Sequence, residues 1–372
     1  MKPKIIAMYL PQFHQTPYND EFWGKGFTDW VTVKKAKPLF SGHVQPKVPL
    51  NENYYDLSRP ENVEWQAKLA RDHGIYGFGV YHYWFNNDSN LLTKPAEILR
   101  DSKNGYVKYF FSWDNANWRR SWSNVDGNDW APMVDKSLQK NTGVKILVPY
   151  ILGSEPDWEN HYRYCSTHFH SPNYEKVDNK PVFCIITYSD EIAKMCDYWN
   201  ELAKKDGFDG MVFIFQNTPH KNIPSRFYRY DYEPHYVGWT NFCLLHRATN
   251  KLLRMIGHDP YRGLVKLSYD KIWYKLLKHT KRCNRPNVFP GAFVGYDDTP
   301  RRGEKKSKVL VGATPDKFKM YFKKYMNLVA SQEKEYVFFT AWNEWGEGAF
   351  LEPDQVNGYG YLNAIKEVMS EL

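Results

Sequence analysis

The stretch YVFFTAWNEWGEGAFLEPD, residues 336–354, joins a buried-strand pattern to a cluster of acids. It begins as a continuous aromatic and β-branched run, which is typical of a parallel strand covered on both faces. The run then ends in polar residues, where Glu344 and Glu347 stand three positions apart on either side of Trp345. Acids directly after a buried strand are typical of the C-terminal face of a (β/α)8 barrel, where chemistry gathers.

Seven further apolar runs of this kind are spread along the 372 residues. In chain order, the eight predicted strands are Ile5–Leu10, Gly77–Tyr83, Val107–Trp113, Lys145–Tyr150, Pro181–Thr187, Met211–Phe215, Val288–Phe293 and Tyr336–Trp342. Helical patterns separate several of them: one starts with a capping box at Ser58–Glu61, and another starts at Thr314-Pro315. The alternation predicts an α/β fold, a (β/α)8 TIM barrel that the whole chain, residues 1–372, forms as one domain.

One interval is too long for a simple connection between a strand and a helix. Residues 216–290, between the sixth and seventh predicted strands, carry 14 Lys and Arg against 4 Asp and Glu, a local charge of +10. We therefore predict a long basic insertion there. Within it, apolar residues recur at helical spacing over Tyr269–Leu277. Three roles fit the insertion: a solvated cover on the barrel, a dimer contact, or peripheral contact with an anionic membrane surface.

The composition suggests a ligand class and a compartment. Aromatic residues make up 17% of the chain, with 14 Trp and 28 Tyr, and aromatic faces pack well against sugar rings. An aromatic-rich core is the alternative explanation. The apolar run after Met1 is too short for a signal peptide, no segment has transmembrane length, and the five cysteines show no CxxC spacing. We expect a cytoplasmic protein.

The ends of the predicted strands carry amides, histidines, tryptophans and acids. The predicted substrate-binding residues are Gln12, His14, His82, Trp84, Trp113, Asn115, Asn117, Trp118, Asp297, Arg301, Trp342, Asn343 and Trp345. Glu155, Gln216 and Asp298 also follow predicted strands. A purely structural barrel would not need such a ring of polar groups. For Asp297 and Arg301 a loop salt bridge is the alternative, because Asp-Thr-Pro commonly starts a turn.

Several chemistries lack their signatures. No glycine-rich nucleotide loop follows the first strand, and no GxSxG nucleophile motif occurs. His168 and His170 lie near Cys165 but have no second ligand cluster at zinc spacing, so we predict no metal. Nucleic acid is not an expected partner, because the positive charge is confined to one insertion without a binding motif.

Glycosyl chemistry fits the remaining pair of acids. Cleavage of a glycosidic bond needs one carboxyl group to protonate the leaving oxygen and a second to act at the sugar. The residues Trp345-Gly346 permit a turn that brings Glu344 and Glu347 to one pocket. Neighbouring indoles could shield one carboxyl and raise its pKa. The alternative is that Glu347 caps the next segment or pairs with a surface lysine.

The motifs along the chain resemble those of the WbsX-like polysaccharide-biosynthesis family, which is related to the endo-α-mannosidases of glycoside hydrolase family 99. The resemblance covers nearly the whole chain. It is carried by AMYLPQFH (7–14), FWGKGFTDW (22–30), KPLFSGHVQPKVP (37–49), YHYWF (81–85), NWRRSW (117–122), YDDTPRR (296–302) and AWNEWGEGAFLEPD (341–354). The last is the most specific, because those mannosidases carry a similar Asn-Glu-Trp-x-Glu-Gly and a following Glu-Pro.

The resemblance implies a (β/α)8 barrel, retention of anomeric configuration and no cofactor. By motif position, Glu344 looks like the base that acts on the sugar's own 2-hydroxyl, and Glu347 like the acid/base. The implied partner is an oligosaccharide or polysaccharide intermediate of bacterial surface-polysaccharide metabolism, free or lipid-linked.

Two departures from the family pattern concern acids. WbsX-like chains usually have Glu where this chain has Ala116, and often Glu where it has Asp29. Two other functions therefore stay open beside a glycosidase or transglycosylase. One is a glycan-binding barrel without turnover, and the other is a nucleotide-sugar-dependent glycosyltransferase.

Overall fold

The computed structural model describes residues 2–119, 146–217, 222–231, 263–304 and 307–372, with short pieces at 234, 252–253 and 255–257. Eight parallel strands form the central sheet: β1 Lys4–Tyr9, β2 Gly77–Asn86, β3 Lys108–Trp113, β4 Lys180–Ile185, β5 Val212–Gln216, β6 Tyr228–Tyr230, β7 in two pieces, Val288–Phe289 and Gly291–Phe293, and β8 Tyr336–Thr340. Each strand pairs with the next, and β8 pairs with β1. The circuit closes through the two pieces of β7, and the predicted TIM barrel is confirmed.

Ten described helices accompany the sheet: α1 Pro17–Trp23, α2 Asp29–Lys35, α3 Pro60–Asp72, α4 Lys94–Asp101, α5 Glu155–Phe169, α6 Asp190–Lys205, α7 Tyr269–Arg282, α8 Thr299–Arg302, α9 Pro315–Ser331 and α10 Gly360–Glu371. Short 3-10 turns cover Leu50–Glu52 and Trp345–Glu347. Outside the barrel, short strands lie at Ser89–Leu91, Trp118–Arg119, Ile146–Val148, Lys176–Val177, Val265–Ser268, Lys308–Val311, Asn343–Glu344 and Ala349–Phe350. Among the described residues, no helix combines the length and apolarity needed to cross a bilayer.

One predicted barrel strand is wrong, and one barrel strand was not predicted. The predicted fourth strand, Lys145–Tyr150, contains the strand Ile146–Val148, but this pairs antiparallel with Trp118–Arg119 outside the barrel. The missing barrel strand is β6, three residues long with a central arginine, which pairs with β5 and β7. So short and mixed a segment carries almost no strand pattern. Because β6 lies within residues 216–290, the connection to β7 starts after Tyr230 rather than at Gln216.

The predicted helix starts are partly confirmed. At α9, Pro315 occupies the first position and the Thr314 hydroxyl accepts a hydrogen bond from the Lys317 amide at 3.3 Å. At α3, Pro60 is again the first residue, but the cap position falls on Arg59 without a side-chain cap. The predicted capping box at Ser58 is therefore not formed.

The apolar face of α7 is buried against the barrel. The Trp273 ring lies 4.8 Å from the Phe293 ring and 5.9 Å from the Tyr321 ring, both stacked, and it meets the edge of Tyr325. Trp273 is fully buried, whereas Tyr274 beside it is 65% exposed. A face packed in this way is not available to a bilayer or to a second subunit. Three roles were predicted for the insertion, and the packing of α7 supports the first of them, a cover on the barrel.

Trp273→Ala should lower the free energy of unfolding by about 3–5 kcal/mol, because it leaves a large cavity between α7, β7 and α9. The matched change Tyr274→Ala should stay within about 0.5 kcal/mol, since that ring faces solvent. Urea denaturation followed by circular dichroism measures both. A small loss at Trp273 equal to the loss at Tyr274 would contradict the packing of α7 on the barrel.

Candidate active site

The two glutamates stand on one tight turn after β8. The strand Asn343–Glu344 pairs antiparallel with Ala349–Phe350, and a 3-10 turn at Trp345–Glu347 joins them. Gly348 ends the turn with a φ of 57°, a backbone conformation that favours glycine. Side chains at positions i and i+3 of a 3-10 turn lie on the same side. The turn therefore directs Glu344 and Glu347 to one side of the barrel mouth.

Glu344 is a buried acid. Its side chain accepts a hydrogen bond from the Tyr81 hydroxyl at 2.9 Å, and the residue is 6% exposed. Burial, and next the charge of Glu347, raise the pKa of Glu344 to about 8, against opposing effects of the Arg301 guanidinium and Tyr81. Glu344 therefore holds a proton at neutral pH in the unliganded protein.

Arg301 connects two carboxylates. Its Nη1 lies 2.5 Å from Glu347 Oε1, and its Nη2 lies 3.4 Å from Asp29 Oδ2. Burial by itself lowers the pKa of Arg301, but Asp29, Glu347 and Glu344 raise it, and the net shift is upward. The guanidinium is charged and forms an ion pair with Glu347, whose side chain is 21% exposed.

Gly346 makes room for this ion cluster. A Cβ atom at this position would lie 2.7 Å from Arg301 Nε and 2.8 Å from Asp29 Oδ2. Those distances are shorter than any ordinary contact, so a side chain at 346 would push the Arg301–Asp29 pair apart. The close approach explains why a glycine stands between the two glutamates.

Asn343 fixes the turn to β1. Its Oδ1 accepts from the Leu10 amide at 2.7 Å, and its Nδ2 donates to the Leu10 carbonyl at 2.9 Å. The Trp342 amide donates to the Met8 carbonyl at 2.7 Å. Asn343, predicted to bind substrate, is completely buried with both polar atoms engaged by the backbone. Its observed contacts hold the two glutamates in place.

Asp297 is surrounded by protein hydrogen bonds. Its carboxylate accepts from His43 Nε2 at 2.8 Å, Gln45 Nε2 at 2.7 Å, the Thr299 amide at 3.1 Å and the Thr299 hydroxyl at 2.6 Å. Burial raises its pKa, but the bonds from His43 and Thr299 outweigh burial and hold the pKa below the usual value. The Asp297 amide also donates to the Glu347 carbonyl at 2.6 Å. These contacts favour a loop-fixing role over direct contact with a sugar.

On β2 the predicted residues, His82 and Trp84, alternate with residues that face the barrel interior. His82 Nε2 lies 2.8 Å from His161 Nε2, and the Trp84 ring stacks on His161 at 4.5 Å, so both point to α5. The intervening Tyr81 and Tyr83 point into the barrel. The predicted residues His82 and Trp84 thus lie on the α5 face of β2, and the tyrosines of YHYWF lie on the inner face.

One group behind the barrel has metal-ligand chemistry. The ligand atoms of His82, His161 and Cys165 lie within 4.8 Å of one another, and all three residues are buried. Burial lowers the pKa of both histidines, so each is neutral and the pair can share one hydrogen bond. The group lies between β2 and α5, away from the barrel interior that Tyr81 and Glu344 occupy.

The residues after β3 mostly hold loops together. Trp113 is buried and donates from Nε1 to the Trp84 carbonyl at 2.8 Å. Asn115 makes two bonds to the Thr187 backbone, at 2.8 and 2.7 Å, and Asn117 accepts from the Tyr150 amide at 2.7 Å. These three predicted binding residues therefore have structural partners.

Gln12, Trp118 and Tyr83 meet near the mouth. Gln12 Nε2 donates to the Tyr83 hydroxyl at 3.2 Å, and the Trp118 ring stacks on the Tyr83 ring at 5.9 Å. His14 is buried, and its Nδ1 has no partner among the described residues. Burial lowers the pKa of His14. Of the aromatic residues predicted to bind substrate, Trp118 is the one placed beside the inward tyrosine.

The tryptophans of the motif are buried rather than exposed to a cleft. Trp345 stacks on Phe350 at 3.7 Å and donates to Glu352 Oε2 at 2.7 Å, and Trp342 packs on Phe78 at 5.3 Å. Glu352, absent from the predicted site, also accepts from Tyr55 at 2.6 Å and from Gln66 at 2.7 Å. Burial raises the pKa of Glu352 to about 7. This buried carboxyl fixes Trp345, and with it the turn.

The residues that the structure brings together form a compact ion cluster, Asp29, Arg301 and Glu347, beside the Tyr81–Glu344 pair. Its chemical capacity is that of a protonated acid and a carboxylate three residues apart, an arrangement suited to acid–base work. Arg301 was predicted, whereas Tyr81 was not and Asp29 was noted as a departure from the family pattern. No described residue of the cluster is a soft metal ligand.

Comparison with known proteins finds relatives that match this chain over nearly its whole length. The uncharacterized protein WxcX from Xanthomonas campestris pv. campestris (strain B100) is 27% identical over 375 residues, which covers 98% of this chain and 49% of WxcX. WxcX from a second strain of that organism matches with the same identity and coverage. The chain thus spans about half the length of the curated relatives it matches.

Two solved structures have the same fold. The family 99 endo-α-mannosidase from Bacteroides thetaiotaomicron has a TM-score of 0.54 at 14% identity, covering 99% of this chain and 96% of that chain. A glycoside hydrolase-like protein has a TM-score of 0.58 at 13% identity, covering 99% and 94%.

A family model described as Glycosyltransferase WbsX matches residues 5–365, nearly the full length of the chain. This match and the glycoside-hydrolase barrel both support a carbohydrate-active protein. The acids of the ion cluster and the Asn343–Glu347 turn all lie within the matched residues. This chain belongs to the WbsX glycosyltransferase family.

Proposed function

We propose that the protein is an enzyme that cleaves or transfers a glycosyl group with retention of anomeric configuration, using Glu344 and Glu347. The observation that carries the proposal is the single turn that holds a buried, protonated carboxyl group beside an ion-paired carboxylate. Retaining glycosyl chemistry needs two carboxyl groups in different protonation states at one sugar.

The reaction would proceed in two steps. Glu344, as base, takes the proton of the sugar's 2-hydroxyl, whose oxygen attacks the anomeric carbon to form a 1,2-anhydro sugar. Glu347 gives its proton to the leaving oxygen as the glycosidic bond breaks. In the second step Glu347 removes a proton from an incoming hydroxyl, which opens the anhydro ring and restores the original configuration, while Glu344 returns its proton to the sugar's 2-oxygen.

The resting structure sets a condition on this cycle. In the unliganded protein burial and the charge of Glu347 favour the protonated form of Glu344, and Arg301 is ion-paired with Glu347. Substrate must therefore release Glu347 from Arg301, so that the proton can pass to Glu347 before the bond breaks. Arg301 can then pair with Asp29 alone. The Tyr81 hydroxyl, already a donor to Glu344, would stabilise the carboxylate left there.

Whether the acceptor is water or a sugar hydroxyl separates hydrolysis from transfer. The neighbour of known activity is a hydrolase, an endo-α-mannosidase, while the family is described as a glycosyltransferase. We propose a substrate among the oligosaccharide or polysaccharide intermediates of bacterial surface polysaccharides (O-antigen or capsule), free or lipid-linked, met in the cytoplasm. Contact with a membrane would depend on charge at the lysines of α7, since its apolar face is buried.

A glycan-binding barrel without turnover is the second candidate. It is favoured by the Arg301–Glu347 contact, which occupies the carboxyl group that an enzyme would need as the proton donor. The two candidates differ in one measurable respect: only the enzyme forms a product that depends on Glu344 and Glu347.

Glu347→Gln should reduce turnover about 10²–10⁴-fold, because an amide cannot donate the proton. The assay uses fluorescently labelled α-linked manno-, gluco-, rhamno- and fuco-oligosaccharides, with product analysis by chromatography. Glu344→Gln should be as damaging. Glu367→Gln, an exposed change on α10, serves as the control and should match wild type.

The leaving group separates the two roles. On an aryl glycoside whose leaving group needs no protonation, Glu347→Gln should regain first-step turnover, whereas Glu344→Gln should not. Full activity of Glu347→Gln on the natural-type oligosaccharides would remove the assignment. Saturable binding with no product from any variant would instead favour the glycan-binding protein.

Arg301→Lys should lower kcat/KM about 10²-fold, because a single ammonium cannot reach both Asp29 and Glu347 and the turn loses its alignment. Arg302→Lys is the matched control: Arg302 pairs with Asp298, its side chain is 39% exposed, and its change should have little effect. Both variants are compared in the same oligosaccharide assay. Equal effects at the two positions would show that Arg301 has no special link to catalysis.

The titration of Glu344 should appear in thermal stability. Its folded pKa, about 8, is raised above the unfolded value of about 4.3, so its contribution to folding is fully present below pH 4 and is lost as the pH rises to about 8. Glu344→Gln, which resembles the protonated acid, should therefore gain Tm relative to wild type between pH 5 and pH 8. The gain should level off above pH 8. A Tm difference that is constant from pH 5 to pH 9 would mean that Glu344 does not carry this proton.

A further inference from the structure

Asp114 follows β3 directly, at the end of the barrel where the two glutamates stand. Two residues close to it in the sequence already form hydrogen bonds within the protein: Asn115 with the Thr187 backbone and Asn117 with the Tyr150 amide. The next residue along the mouth, Ala116, is exposed and offers no polar side chain. Asp114 is thus the acid that this strand end presents.

The Asp114 carboxylate has no hydrogen-bond or ion-pair partner among the described residues, although its amide donates to the His82 carbonyl at 3.0 Å. The side chain is partly exposed, yet its surroundings remove enough water to raise its pKa to about 6, with burial as the cause. At neutral pH the group is therefore an ionised, poorly solvated acceptor. Because it is partly exposed and both of its oxygens are unpartnered within the described part of the chain, a ligand at the mouth can reach it.

The charge of the Asp114 carboxylate acts on Tyr83. The ionised Asp114 raises the pKa of the Tyr83 hydroxyl, which burial already raises, and the charges of Glu344 and Arg301 act on the same hydroxyl. Gln12 donates to that hydroxyl, and Trp118 stacks on the ring. The charge of Asp114 therefore acts on the same hydroxyl as the charges of Glu344 and Arg301.

We propose that Asp114 is a substrate-binding residue that accepts hydrogen bonds from the hydroxyl groups of a sugar unit beside the one held at Glu344 and Glu347. The inference rests on the proposed function. A carboxylate with two free oxygens fits a pair of neighbouring hydroxyl groups, and the stacked pair Tyr83 and Trp118 lies near the same barrel mouth.

The same charge determines which sugars fit. A neutral sugar satisfies the carboxylate with its hydroxyl donors, whereas an acidic sugar such as a uronic acid would place a second negative charge beside Asp114 and Glu344. The site therefore selects neutral units at this position and rejects acidic ones.

The test combines a stability measurement with a glycan measurement. Asp114→Asn keeps the shape and removes the charge, and Asp178→Asn makes the same change at an exposed turn before β4, at the other end of the barrel. At pH 7.5, Asp114→Asn should raise Tm by about 1–3 °C, because an unpaired, poorly solvated charge destabilises the fold. Asp178→Asn should leave Tm unchanged.

On the labelled oligosaccharide panel, Asp114→Asn should lower kcat/KM about 10–100-fold, the range of one or two hydrogen bonds to a charged acceptor. A glycan that binds without turnover should show the same factor in Kd. With uronic acid-containing oligosaccharides added to the panel, rejection of the acidic units should weaken in the variant. Asp178→Asn should behave as wild type in each measurement.

The outcomes separate this inference from the proposed function. A fall in Tm for Asp114→Asn would mean that the carboxylate is a structural acceptor, and a rise in Tm with unchanged glycan kinetics would mean that it does not touch the substrate; either overturns the inference and leaves the function intact. Full activity of Glu347→Gln overturns the function and leaves the binding role of Asp114 standing. A wild-type protein that neither binds nor processes any oligosaccharide of the panel overturns both.

Discussion

One guanidinium controls the charge at the mouth of this barrel. Arg301 stands between Asp29 on α2 and Glu347 on the turn after β8, so it joins the first and last parts of the chain around a buried ion cluster. Removing one partner from such a cluster leaves an uncompensated buried charge, which is costly. With Glu347 in this ion pair, burial and the charge of Glu347 raise the pKa of Glu344 to about 8. The protonation of the pair therefore depends on the position of Arg301.

The remaining contacts of the site serve to hold that arrangement still. Asn343 fixes the turn to β1 through the Leu10 backbone. Glu352 accepts a hydrogen bond from the Trp345 indole and so fixes that side chain of the turn. Gly346 lets the turn approach Arg301 closely enough for the ion pair to form. Much of the motif thus positions two carboxyl groups instead of touching a ligand. The arrangement has the preorganised character that acid–base catalysis requires.

The strands that could be predicted are those with continuous apolar runs, because burial on both faces leaves a pattern in the residues themselves. β6 could not be predicted, since it is three residues long with a central arginine and is recognised as a strand only by its pairing with β5 and β7. The strand Ile146–Val148 was wrongly predicted to belong to the barrel, for the opposite reason. It has the apolar character of a barrel strand, but its partner is the short strand at Trp118.

The amino-acid sequence by itself determined the barrel, the paired glutamates at the end of β8 and the family to which the motifs belong, because each of these is written in local order and spacing. Only the tertiary structure decided which polar residues are occupied by the protein. Asn343 and Asp297 look like binding groups in the sequence, yet they hold backbone and loops. No pattern in the sequence marks Asp114 or Tyr81, yet Asp114 directly follows β3 at the mouth and Tyr81 donates to Glu344. The reason is physical: a side chain's free hydrogen-bonding capacity depends on neighbours far away in the chain, which pattern and spacing do not specify.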